Sequence, residues 1–199
     1  MNGNHVMAAG LPDAVHASQQ AFRALLDAMA RPGQIRKIGA ALPDVPLGGA
    51  MARLLLSLTD DETPVWWQSV ANCPSDWLRF HTGAPLTTDP TTAGFAVLLD
   101  SNTSPDLDSF SIGSAVSPEF STTLLIELPS LTEGPGMEWH GPGIQVPLAV
   151  HLAGLPDRFW PQWQANHGAL PCGVDLIFTC GAYAMGLPRT TRIRQLKGV

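Results

Sequence analysis

Val174-Asp175-Leu176-Ile177-Phe178-Thr179-Cys180-Gly181-Ala182-Tyr183-Ala184-Met185-Gly186-Leu187 is the stretch that decides the fold class. Val174 to Phe178 and Tyr183 to Leu187 are short apolar runs bounded by turn residues, the pattern of buried strands. The turn at Cys180-Gly181-Ala182 joins them as a hairpin, so these two strands run antiparallel. Upstream, the elements follow a different order. Ala14 to Met29 reads as an amphipathic helix with Val15, Phe22, Leu25, Leu26 and Met29 on one face, Asp13 as its N-cap and Pro32-Gly33 as its stop. A short strand at Gln34 to Ile38 follows, then a second helix at Gly48 to Leu58 with Met51, Leu54, Leu55 and Leu58 at helical spacing. Thr63-Pro64 opens the strand Val65-Trp66-Trp67, and Pro74 starts a helix through Trp77 and Phe80 that Thr82-Gly83 ends. Phe95 to Leu99 and Thr122 to Leu128 read as strands, with a polar loop at Asp100 to Phe110 after the first of them. Met137 to Trp139 is a weaker strand between two Gly-Pro-Gly turns, Asp157 to Gln164 a helix, and Thr191 to Arg194 a last strand. Strands alternating with helices favour a sheet covered by helices. The closing hairpin makes that sheet mixed. The expectation is one α/β domain over residues 1–199, with flexible tails at 1–12 and 195–199.

Composition excludes several classes of function. With 199 residues the chain is long enough to remove about 70% of its unfolded surface from water. Only 14% of residues are charged, well under the usual quarter. Such a surface is covered either by a permanent partner or by the abundant small residues, and composition leaves both readings open. Net charge is −6, with two lysines, Lys37 and Lys197, so the basic footprint that nucleic acid requires is missing. No basic amphipathic stretch suits a membrane surface, and no apolar run approaches the length that spans a bilayer. Met1 to Leu11 lacks the pattern of a signal peptide. Cys73, Cys172 and Cys180 make an odd count without framework spacing, as expected in a reducing cytoplasm.

The search for chemistry finds no self-sufficient motif. His5, His16, His81, His140, His151 and His167 show no metal-ligand spacing, and no Cys-x-x-Cys exists, so no metal is expected. Phosphate-loop and nucleophile-elbow patterns are absent as well. Pyridoxal phosphate needs a lysine for its Schiff base. Neither Lys37, between surface elements, nor Lys197, near the C-terminus, is placed to hold a buried cofactor, so none is expected. Asp60-Asp61-Glu62 is either a cluster able to poise a proton or Mg²⁺, or a solvated turn. Arg79 and His81 flank Phe80 at a helix end before Thr82-Gly83, a place that suits an anion. Arg189-Thr190-Thr191-Arg192 after Pro188 suits a phosphate or a partner's carboxylate. For both basic spots a structural salt bridge or cap is the competing reading.

Several separated segments carry a family resemblance. They are Phe22 to Gly33 (Phe-Arg-Ala-Leu-Leu-Asp-Ala-Met-Ala-Arg-Pro-Gly), Leu58 to Trp66, Arg79 to Pro85, Gly141-Pro142-Gly143-Ile144, Gly173 to Ile177, and Leu187 to Thr191. In this order and spacing, from about Val15 to Ile193, the chain resembles the PhnH family of phosphonate-metabolism proteins, the H subunits of the bacterial carbon–phosphorus lyase core complex. The resemblance implies a three-layer αβα fold with a mixed sheet, similar to the pyridoxal-phosphate-dependent transferases but without the cofactor lysine. It also implies a homodimer in isolation and assembly with the G, I and J subunits. The function implied is support of a multi-protein transferase that forms ribose 1-phosphonate 5-triphosphate from a nucleoside triphosphate and an alkylphosphonate, ribose 1-methylphosphonate 5-triphosphate synthase. No established catalytic residue comes with the family. The chain departs from it after Pro118-Glu119, where Phe120-Ser121-Thr122 stands in place of Gly-Ala-Thr. Two other readings compete: a module that binds a phosphonate or nucleotide, and a stand-alone enzyme with a convergent site at Asp61, Arg79, His81 and Arg189.

Overall fold

The chain, described over residues 7–69 and 74–196 in a computed structural model, begins its regular structure with helix α1, Ala14–Ala30. His5, Cys73 and Lys197 lie outside the described residues. Asp13 caps α1 as expected, its carboxylate accepting the His16 N–H at 3.2 Å. The packed face is only partly the one that the large side chains suggest. Ala21, Leu25 and Ala28 are buried, whereas Val15, Phe22 and Leu26 are 71%, 50% and 58% exposed. Close approach decides this. A Cβ at Gly186 would lie 2.8 Å from the Ala28 carbonyl oxygen, so α1 rests with its alanine face directly on a glycine of the sheet. Met29 packs beside it, while Val15, Phe22 and Leu26 are turned out to solvent.

The remaining elements are β1 (Arg36–Lys37), α2 (Gly49–Leu58), β2 (Val65–Trp67), α3 (Ser75–Thr82), β3 (Leu86–Thr87), β4 (Phe95–Leu98), β5 (Thr123–Glu127), β6 (Gly136–His140), β7 (Leu148–His151), α4 (Phe159–Gly168), β8 (Asp175–Cys180), β9 (Tyr183–Leu187) and β10 (Arg192–Gln195). Seven strands form one sheet in the order β1-β9-β8-β5-β4-β2-β3. β8, β5, β4, β2 and β3 run parallel, with Val65, Phe95, Thr123 and Asp175 in register at their starts. β8 and β9 form the antiparallel hairpin, closing through the two residues Gly181 and Ala182, and β1 pairs antiparallel beyond it. The sheet is mixed, as the hairpin predicts.

Two buried clusters lie on its two faces. Val65, Trp67, Val97, Leu125 and Ile177 pack with α1, α2 and α3. Ala96, Leu124, Ile126, Leu176, Phe178 and Met185 pack with Phe159 and Trp163 of α4. Helices thus lie on both faces, but the second covering is not helical throughout. It includes a separate antiparallel sheet, β10-β6-β7, whose Met137, Trp139, Val150 and Ile193 point into the same cluster. The strand anticipated at Thr191 to Arg194 therefore pairs with β6 and leaves the hairpin. Trp66 and Trp67 belong to the core: Trp67 is buried, and Trp66 meets Phe110 edge-on at 5.4 Å. α4 runs beyond Gln164 because its buried face continues with a polar residue. The Asn166 amide bonds both the N–H and the C=O of Val174, at 2.8 and 3.0 Å.

Candidate functional site

Arg79 and His81 occupy the last turn of α3, where cations meet the negative end of the helix dipole. Gly83, at φ 80°, ends the helix, and its N–H returns to the Arg79 carbonyl at 2.8 Å. A Cβ at Gly83 would lie 3.0 Å from the Cβ of Asp61, so the acidic turn and the basic helix end are neighbours. Their polar groups are mostly occupied by local structure. One Asp60 oxygen accepts the Glu62 N–H at 3.1 Å and the Thr63 hydroxyl at 2.5 Å. His81 Nε2 donates to the Ala8 carbonyl at 3.0 Å, while its ring lies edge-on to Trp77 and Phe80. This histidine pins the segment before α1 onto α3. Asp61 and Glu62 are exposed. Arg79 points to water, 67% exposed, with the Asp76 carboxylate 3.6 Å away. Replacing Arg79 with alanine is expected to change stability by less than about 0.5 kcal/mol, measured by urea unfolding.

Arg189 is placed differently. Its side chain is 13% exposed, and all five of its N–H groups have acceptors. Nε and Nη2 reach Asp175 at 3.1 and 2.5 Å, and Nη2 also meets the Ser121 hydroxyl at 2.5 Å. Nη1 meets the carbonyls of Pro118 and Pro171 at 3.1 and 3.3 Å. No donor remains for a ligand, so the arrangement is that of a structural ion pair joining two loops to the start of β8. Thr190 beside it is exposed, and its carbonyl packs on Gly141. Arg189 lies by the starts of β5 and β8, and the Asp61–Arg79–His81 group lies by the starts of β2 and β3. β4 stands between them, so the four residues do not converge into one site.

In open α/β sheets ligands bind beyond the carboxyl ends of the parallel strands. Here that edge is filled by the chain's own side chains. Gln68, just past β2, accepts the N–H groups of Leu99 and Asp100 at 2.9 and 2.8 Å and donates to the Asp100 carbonyl. Glu127, at the end of β5, accepts the Gly181 N–H at 3.1 Å and the Thr179 hydroxyl. Its carboxylate lies where a Cβ of Gly48, the N-cap of α2, would sit 2.6 Å away. A carboxylate of the protein thus lies beside the N-terminus of α2, where an anion would be favoured. Burial pushes the neighbouring Cys180 thiol up, and the Glu127 charge adds to the shift. Two cavities of about 380 and 370 Å³ lie elsewhere, one between Met137, Trp160, Gln164 and Ile193, the other between Arg31, Pro32, Ile144 and Val146. Among the described residues no three His, Cys, Asp or Glu side chains gather as a metal site would require.

Position in the sheets assigns roles that spacing alone did not. β10 pairs with β6 so that Arg192 stands opposite His140 and Arg194 opposite Glu138. Arg192, half of whose local motif was visible in Arg189-Thr190-Thr191-Arg192, points outward while Arg189 points in. Nothing in the sequence marked Gln68 or Glu127, because their function depends on where neighbouring strands end.

Comparison with known proteins bears on the whole chain. Residues 9–194 match the family described as "Bacterial phosphonate metabolism protein (PhnH)". The chain is 36% identical over 196 residues, 96% of its own length and 98% of the relative's, to the alpha-D-ribose 1-methylphosphonate 5-triphosphate synthase subunit of Rhizobium meliloti (strain 1021). It is 33% identical over 183 residues, 90% of its length and 87% of the relative's, to the "Putative C-P lyase subunit protein HtxG" of Stutzerimonas stutzeri.

Proposed function

Because the chain belongs to the PhnH family of bacterial phosphonate metabolism proteins, we propose that it works as one subunit of the synthase that makes ribose 1-methylphosphonate 5-triphosphate. The observation that carries this reading is the match across 96% of the chain to a named synthase subunit. The proposal places the chain in the cytoplasm, as a homodimer in isolation and with the G, I and J subunits in the assembled complex. No described helix is long and apolar enough to cross a membrane, which fits that placement. The fold likeness to pyridoxal-phosphate-dependent transferases is part of the same proposal. It draws support from the mixed seven-stranded sheet.

The physical features agree with a subunit that is covered in use. Val15, Phe22 and Leu26 form an outward apolar stripe on α1, and Val116 and Phe120 are 93% and 74% exposed on the loop that Arg189 clamps. Large apolar groups held at the surface by packing elsewhere are a mark of protein contact. The sheet's carboxyl edge, closed by Gln68 and Glu127, favours a supporting role over independent catalysis. Tagged and co-expressed with the G, I and J subunits of its own operon, the chain is expected to co-purify in stoichiometric amount, seen by size exclusion and mass measurement. Recovery of the chain alone as a dimer would refute the subunit reading.

A further inference from the structure

The last part of the chain has an unusual charge pattern. Asp175 is its final acid, while Arg189, Arg192, Arg194 and Lys197 supply four of its eleven cations. In a chain of net charge −6 this concentrates positive charge at one place. The fold then separates these residues. Arg189 is neutralised inside by Asp175, whereas Arg192 and Arg194 alternate with the buried Ile193 on β10 and are exposed on the outer face of the three-stranded sheet. Among the described residues no carboxylate lies within ion-pair distance of either. Glu138, opposite Arg194, is engaged instead by His140 Nε2 at 2.7 Å.

Arg192 is also held in position. His167 Nδ1 donates to the Arg189 carbonyl at 2.9 Å, which leaves its Nε2 as the acceptor for Arg192 Nε at 3.2 Å. One nitrogen anchors the guanidinium, and the residue as a whole is exposed. On a strand the two arginines stand about 7 Å apart, at i and i+2. On the same face lie Glu138, already paired with His140, and Ala149 and His151 of β7.

We propose that the outer face of the β10-β6-β7 sheet docks an acidic surface of a neighbouring subunit, with carboxylates at about 7 Å spacing received by Arg192 and Arg194. This rests on the reading of the chain as a complex subunit. Charge complementarity names the partner's chemistry, and shape decides its class. Small-molecule sites are concave, but the nearby cavity at Met137 and Ile193 is lined by the inward side of this sheet, and the outer side is a pleated surface. Arginine is also favoured over lysine at protein interfaces, where its planar fork pairs with carboxylates.

The test compares the wild-type chain, the Arg192→Glu/Arg194→Glu double variant, the milder Arg192→Gln/Arg194→Gln variant, and Lys37→Glu as a charge control on β1, the edge strand of the seven-stranded sheet. Each is titrated with the co-expressed G, I and J subunits at low and high salt, after its melting temperature has been matched to wild type. The glutamate pair is expected to weaken association about a hundredfold at low salt, the glutamine pair less, and Lys37→Glu not at all. The gap should narrow at high salt as screening removes the repulsion. Unchanged association of both double variants would overturn the docking surface while leaving the subunit reading intact. Tripolyphosphate binding that the variants abolish without affecting subunit association would overturn it in favour of a small anion. If the wild-type chain bound no subunit, the subunit reading would fall and the docking surface with it.

Discussion

Replacing Gly143 with alanine is expected to destabilise the protein by about 3–5 kcal/mol, with undocking of the small sheet from α1 as the structural consequence. Two costs add. Gly143 sits at φ 81°, a left-handed conformation that costs an L-residue roughly 1–2 kcal/mol. A Cβ there would also collide with the Ala30 carbonyl oxygen and come within 2.9 Å of Pro32 Cδ. Both obstacles belong to the end of α1, and a backbone carbonyl cannot rotate out of the way as a side chain can. Gly33, at φ 82°, makes the reciprocal contact, since its own Cβ would meet Leu148 and Val150 of β7. On the other side of the same turn Gly141 lies against the Thr190 carbonyl. Three of the segments that carry the family resemblance, around Pro32-Gly33, Gly141-Pro142-Gly143 and Arg189-Thr190-Thr191, are therefore one junction. Their glycines are required by close packing, of Gly141 and Gly143 against backbone and of Gly33 against the side chains of β7. Chemical denaturation gives the loss of stability, and amide exchange in β6 and β7 should rise more than exchange in β5 and β8.

The legible part of this molecule was the part fixed by local pattern. The β8–β9 hairpin follows from two apolar runs around Gly181, and the mixed character of the sheet follows from that hairpin. The N-cap at Asp13 and the glycine stop at Gly83 were equally local. What escaped depended on distant chain. The buried face of α1 was set by a glycine more than 150 residues away, at Gly186, so Val15, Phe22 and Leu26 misled while Leu25 and Met29 did not. β7 escaped because Leu148–His151 follows a Gly-Pro-rich turn and is too short for its alternation to be distinctive. β3 has two residues and no period at all. Among the site residues, Arg189, Arg192 and Arg194 look alike in sequence. The start of β10 after Thr191 sends the first into an ion pair and the other two to the surface. Chemistry named the cations, but only strand register could say which of them still has a donor to offer.

Replacing Arg189 with methionine is expected to cost about 3 kcal/mol and lower the melting temperature by roughly 6–12 °C, without weakening any phosphate or phosphonate binding. Methionine keeps most of the packing volume and removes the charge. Asp175, 21% exposed, would then hold its carboxylate with only the main-chain N–H of residue 189, now 2.7 Å away, in place of a two-nitrogen fork. An unpaired carboxylate at this depth is the source of the loss; the Coulombic attraction itself is a smaller part of it. Removing both charges in Asp175→Asn/Arg189→Met should therefore recover much of the stability, and the two changes should couple by about 2 kcal/mol in a double-mutant cycle. Arg189→Lys should behave more like methionine than like arginine. A single ammonium cannot serve Asp175, Ser121, Pro118 and Pro171 from one plane. Loss of the fork also frees the loop that carries Val116 and Phe120, so amide exchange should rise there and around Pro171 before it rises in β8. If anion affinity fell in Arg189→Met while stability stayed at the wild-type value, the clamp assignment would be wrong and the guanidinium would belong to a binding site. The opposite pattern, lost stability and weakened assembly with subunits at unchanged anion affinity, is what a residue acting through the shape of its loop must produce.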